Sequence, residues 1–303
     1  MAEFLPCEIC GASAWLAVYR GPVRDGNFGR LTEEAQVARC GKCLVNRLEE
    51  RFCLNERAYE TTEYRRSLAQ PTEADRFVRV TDALHLEKLN LAWPLEVRDK
   101  TIVDVGAAAG SFLDHYAGVA KTCIAIEPAQ HFHGRLRSKG YSVYNFADDA
   151  LAEHRGSADV VFCFSVIEHV EHPGNFLKSL NALLRPSGWL IVTTPNRDDA
   201  LMALLPDDYP RFFYRRAHRW YFDAASLSKA TIAAGFEIER VTFFQRFGLS
   251  NAMGWLRDRR PPGNVSLPFA GHAAVSEAWR GLLAEQKASD YLSMVAAKPQ
   301  LET

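Results

Sequence analysis

The chain predicts an α/β fold, a parallel sheet covered by helices, preceded by a small module stapled by cysteines. Three observations carry this. From about residue 101 onward, short apolar runs alternate with helix-length amphipathic stretches. A loop of glycine and alanine, IVDVGAAAGSFL (102–113), joins the first apolar run to a helix. Two CxxC pairs, CEIC and CGKC, stand near the start.

The N-terminal module is expected over 1–53. Cys7, Cys10, Cys40 and Cys43 read as a four-thiolate Zn2+ site. Four sulfurs leave no open coordination position, so the zinc is expected to be structural. A segment this short has too small a core to fold easily without a staple. Strands are expected at 15–20 and 35–40, with a turn between them. A redox CxxC normally lies between a strand and a helix, and neither pair does.

A helical bridge follows over 54–100, broken at Pro71. Tyr64 and Arg65 lie in it, an aromatic and a cation that a packed helix would lend to a substrate site. The main domain is expected over 101–303. Its strands are expected at 101–106, 122–127, 141–146, 158–165, 188–195, 235–244 and 290–298, with a helix at about 224–234. An insertion at about 246–289 mixes Phe247, Leu249, Met253, Trp255 and Leu256 with the basic run RDRR (257–260). It is expected to form a homodimer contact, cap the acceptor or touch a membrane surface.

The glycine loop departs from the dinucleotide pattern. GxGxxG needs glycine at 108 and 111, where Ala108 and Ser111 stand. What remains is Gly106, Ala108 and Gly110, with Asp104 ahead and Glu127 ending the next apolar run. This resembles motif I of the class I S-adenosylmethionine (SAM) methyltransferases. The resemblance implies a Rossmann-like seven-stranded sheet with SAM at its C-terminal strand edge. It implies Glu127 on the ribose, Asp148 on the adenine, and Ser165 beside the cofactor. The segment SVIEHVEHPGNFLKSLNALLRPSGWLIVTTPN (165–196) is similar to ubiquinone-biosynthesis O-methyltransferases. The segment AHRWYFDAASLSKATIAAGFEIERV (217–241), with the two CxxC pairs, resembles zinc-containing sugar C-methyltransferases.

Methyl transfer from a sulfonium needs alignment, removal of water and, for a hydroxyl or carbon acid, a base. Histidine is the side chain suited to that at neutral pH. His218 is the first candidate and His169 the second, with Glu168 to orient His169. The acceptor is expected over 196–220 and its neighbours, where Tyr214, Arg215, Arg216 and Tyr221 offer rings and guanidinium forks. An anionic small molecule, a nucleotide-linked sugar, is the leading acceptor. A quinone or aromatic lipid precursor is the alternative, and a non-catalytic adaptor with a vestigial SAM fold is a further one. The net charge of −1 speaks against a nucleic-acid partner. No apolar run is long enough for a transmembrane helix and no secretory leader is expected, so a cytoplasmic setting is expected.

Overall fold

The computed structural model describes residues 4–27, 29–92, 95–263 and 265–300; side chains at 83–87 and 92 are not described. The outermost residues of the expected domains, 1–3 and 301–303, lie outside these spans. Among the described residues, eleven strands follow in chain order: β1 (Trp15–Arg24), β2 (Leu31–Cys40), β3 (Asn46–Leu48), β4 (Thr101–Val105), β5 (Thr122–Ile126), β6 (Ser142–Tyr144), β7 (Ala158–Phe164), β8 (Leu184–Pro195), β9 (Trp220–Tyr221), β10 (Glu237–Phe244) and β11 (Tyr291–Ala297). They form a four-stranded sheet, β1-β2-β3-β9, and a seven-stranded mixed sheet, β10-β11-β8-β7-β4-β5-β6.

Two compact units emerge, and they cut the chain differently from the expected division. One comprises residues 55–193, 230–240 and 294–303; the other comprises 1–54, 194–229 and 241–293.

The larger unit holds the parallel strands. β4 pairs with β5 and β7, β5 with β6, and β7 with β8, all parallel. Such strands are covered on both faces, so TIVDV and ADVVFCF are nearly continuous apolar runs. Phe112 meets Phe162 and Phe164 edge-on, with centroids 4.9 and 5.0 Å apart, and Phe77 brings the helix Ala74–Ala92 into the same core. β8 begins earlier than the expected residue 188. Ser187 donates to the Lys298 carbonyl and Lys298 to the Gly188 carbonyl, which pairs the backbone across the RPSG stretch.

The other unit contains the cysteine module and more. The hairpin β1–β2 is antiparallel, β3 pairs with β2, and β9 closes the sheet by setting Tyr221 opposite Asn46 and Trp220 opposite Arg47. Val23, Val37, Leu48, Phe52, Tyr214 and Tyr221 share one core. The described residues of the insertion include the helices Leu249–Asp258 and Ala273–Glu285. Its apolar face is largely spent within the unit: Trp255 lies 5.0 Å from the Tyr209 ring and 5.5 Å from Phe212. Phe247 and Leu256 stay exposed.

Candidate active site and cysteine centre

The turn after β4 is built from left-handed backbone. Gly106, Ala108 and Gly110 have φ of 77°, 47° and 84°. Glycine adopts such angles freely; alanine does so at a cost. A side chain would also be blocked at both glycines. A Cβ on Gly106 would stand 2.6 Å from Val166 Cγ2, and one on Gly110 2.6 Å from Leu136 Cδ2. The first of these contacts sets the turn directly against the residues that follow β7.

Glu127 fastens the turn. One carboxylate oxygen accepts from the Ala108 N–H at 2.6 Å and the other from the Ala129 N–H at 2.8 Å. Burial raises its pKa, against the pull of Arg65 and the two amides. Asp104, also buried, is pushed up to about 7 by burial, with Lys88 opposing and Glu127 adding to the rise. Burial lowers the Lys88 pKa in turn, and its ammonium lies 5.2 Å above the Phe164 ring. Arg135 braces the turn from behind, bonding the Ala109 carbonyl and, at 2.7 Å, Asp114.

A cofactor with a ribose fits this cradle. Glu127 is an acceptor-only group with lone pairs left after its two amide bonds. Ser111 Oγ, directly after Gly110, is buried and has no hydrogen-bond partner among the described residues. Polar atoms left this way carry a desolvation cost that a bound polar ligand removes.

At the end of β7, Ser165 has φ of 56° and donates its N–H to the Thr193 carbonyl. Left-handed non-glycine residues are strained and collect at functional sites. Glu168 and His169 follow, Glu168 fully buried, with His169 Nε2 3.9 Å from Glu168 Oε1. The bridge supplies the other side: Tyr59 Oη lies 3.1 Å from His169 Nδ1. Tyr64 packs on Tyr59 at 4.7 Å and meets His169 edge-on at 5.8 Å. Arg65 reaches over the Tyr64 ring at 5.4 Å and the Phe77 ring at 4.9 Å. Asp148 is exposed and accepts a hydrogen bond from Ser179, while Asp149 accepts from the Phe146 N–H.

The remaining expected residues belong to the unit with the cysteines. His218 is buried, and its backbone N–H donates to the Arg215 carbonyl. Tyr214 accepts from Asn46, and Tyr221 Oη bonds both the N–H and the carbonyl of Arg215. Most arginines of this segment are paired internally: Arg211 with Asp208, Arg216 with Asp25 and the Phe52 carbonyl, and Arg219 with Glu50. Arg215 has no side-chain bond of this kind among the described residues.

The four cysteines converge. Cys7 and Cys43 sulfurs are 3.5 Å apart, Cys10 and Cys40 3.4 Å, and all four lie within 4.8 Å of one another. A tetrahedron of sulfurs about 2.3 Å from a zinc ion has edges of this order, whereas a disulfide needs about 2 Å. All are free thiols. The Cys43 hydrogen bond draws Cys7 down to about 5, and the same contact raises Cys43. The donor set and its spacing fit zinc.

A sequence reading finds the glycine turn, Glu127 and the cysteines by motif. It gives no signal for Arg135, which only the tertiary structure brings to the turn, or for Lys88, which it brings near Asp104.

The sheet order, the left-handed turn and the strand-end acid together define a class I methyltransferase fold. A family model described as a methyltransferase domain matches residues 74–241, more than half of the chain. The chain belongs to that family and is a SAM-dependent methyltransferase. A ubiquinone biosynthesis O-methyltransferase of Thiobacillus denitrificans is 29% identical over 156 residues, 47% of this chain and 67% of the relative. One from Burkholderia orbicola is 28% identical over 193 residues, 55% of this chain and 81% of the relative. A chain in the complex of the Haloferax volcanii Trm112 methyltransferase activator with a methyltransferase shares the fold, with a TM-score of 0.53 at 15% identity; the match covers 77% of this chain and 96% of that one. Among the described residues, no helix is long and apolar enough to cross a membrane.

Proposed function

We propose that this enzyme moves the methyl group of SAM onto a hydroxyl oxygen of a small metabolite, with His169 as the base. The observation that carries the reading is the imidazole of His169, held between Tyr59 and Glu168 directly after β7, where Val166 abuts the glycine turn. In the step, His169 takes the hydroxyl proton and the oxygen attacks the methyl carbon. The carbon–sulfur bond breaks and S-adenosylhomocysteine leaves. Glu168 offsets the charge of the imidazolium. Asp104, Gly106, Ala108, Gly110 and Glu127 form the cofactor cradle, and Cys7, Cys10, Cys40 and Cys43 hold a structural zinc. The free thiols go with a cytoplasmic setting. His218 is the second base to test.

Two acceptor classes have separate support. The names of the curated relatives favour an aromatic hydroxyl. The four-cysteine module, through its resemblance to zinc-containing sugar C-methyltransferases, favours a sugar or nucleotide-linked sugar. The test is S-adenosylhomocysteine release with 3,4-dihydroxybenzoate and with a nucleoside-diphosphate hexose, wild type beside His169→Asn. Turnover of one acceptor, lost in the variant, selects that class. Turnover of neither sinks both classes, and turnover retained in His169→Asn removes His169 as base.

A further inference from the structure

Glu127 holds the turn but leaves a chemical need unmet. A ribose hydroxyl is both donor and acceptor, and a carboxylate satisfies only its donor half. A second polar group, one that donates, belongs beside it.

His131 is four residues beyond Glu127, in the short turn Gln130–Phe132; Ala129, whose amide bonds Glu127, caps that turn. Both of its ring nitrogens are buried, and neither has a hydrogen-bond partner among the described residues. Its neighbour His133 is different: that ring spends Nε2 on the Glu127 carbonyl at 2.6 Å. The His131 ring rests on Phe132, centroids 4.1 Å apart, and the Arg65 guanidinium lies 5.9 Å from the same Phe132 ring. Phe132 is fully buried, so the platform is rigid. Burial, Arg65 and His133 all disfavour the charged imidazole. The neutral ring keeps one N–H and one lone pair.

We infer that His131 is a cofactor-recognition residue, donating its ring N–H to a ribose hydroxyl oxygen of SAM whose proton Glu127 accepts. The inference rests on the cofactor reading of the cradle and adds a group that the motif does not contain. Glu127 and His131 then divide the ribose between them, one accepting and one donating.

The test is calorimetric titration with S-adenosylhomocysteine and with its 2′-deoxy and 3′-deoxy ribose analogues, on the zinc-loaded protein. His131→Ala is expected to weaken S-adenosylhomocysteine at least tenfold. One of the deoxy analogues, already lacking the hydroxyl that His131 serves, is expected to bind wild type and variant alike. His131→Asn, which restores a side-chain donor, is expected to recover part of the loss. Equal binding of S-adenosylhomocysteine by wild type and His131→Ala overturns the inference while leaving the cofactor reading intact. Equal losses for all three ligands overturn it too, since they mark a packing role. No binding by the wild type overturns both.

Discussion

Tyr59 Oη and His169 Nδ1 are 3.1 Å apart, joining the helical bridge to the segment that follows β7. Phenylalanine at 59 keeps the ring against Tyr64 and removes only the hydroxyl. Tyr59→Phe is expected to lower kcat about tenfold, the scale of one lost hydrogen bond at the base. Binding of S-adenosylhomocysteine is expected to stay unchanged. Kinetics beside calorimetry separate the two, and an unaltered kcat would remove Tyr59 from the positioning of His169.

Glu127 spends its two oxygens on the amides of Ala108 and Ala129. Glu127→Gln turns one acceptor into a donor facing an N–H, so the turn loses a charge-assisted bond worth about 1.5–3 kcal/mol. SAM affinity is expected to fall between about tenfold and a hundredfold. Tm is expected to drop as well, and titration calorimetry with a thermal melt reads both.

Ala108 carries a left-handed φ of 47° where the motif usually has glycine. Ala108→Gly is expected to relieve about 1 kcal/mol of strain, a gain of about 2–4 °C in Tm for a domain of this size. Ala108→Val is expected to lose stability, because a branched Cβ worsens the same angle. A glycine variant that melts below wild type would show that the alanine is not strained.

Asp104 is buried, with its pKa raised to about 7. A carboxyl whose folded pKa exceeds its unfolded value binds more protons in the native state. It therefore loses stability as pH rises between those two values. Asp104→Asn has no such proton to lose. Relative to wild type, the variant is expected to gain stability as pH rises from about 4 to 7. Melts across that range check it; a constant difference would place the Asp104 pKa in the ordinary carboxylate range.

The cysteine cluster predicts zinc-dependent stability. Cys43→Ser removes one of four sulfurs and is expected to lower zinc content and Tm together, as chelation does for the wild type. Elemental analysis and melts decide. A wild-type protein that melts unchanged with chelator would refute a structural zinc.

The strands of the large sheet were legible because both of their faces are covered, which makes them unbroken apolar runs such as ADVVFCF. Gly106, Gly110 and Glu127 were legible because the turn demands those residue types. β9 was not: it is two residues, Trp220 and Tyr221, and pairs with β3 from far away in the chain. Nor was the contact of Asp148 with Ser179, which sits on the helix Pro173–Leu183, since no local pattern links the two. The insertion looked like an outward apolar face because its sequence shows the stripe but not what covers it. Trp255 in fact packs on Tyr209 and Phe212. His131 carries no motif at all, and only its unpartnered nitrogens mark it.

The pairing of β3 with β9 sets an order on synthesis. While the chain leaves the ribosome, the hairpin and all four cysteines emerge well before β9, and the edge of β3 lacks its β9 partner until Trp220 and Tyr221 appear. An open edge with unpaired amides and carbonyls invites pairing with other chains. The nascent protein must carry that edge through the making of the five parallel strands β4 to β8. A fragment ending near residue 54 keeps it permanently, so the cysteine module cut free would tend to associate through β3.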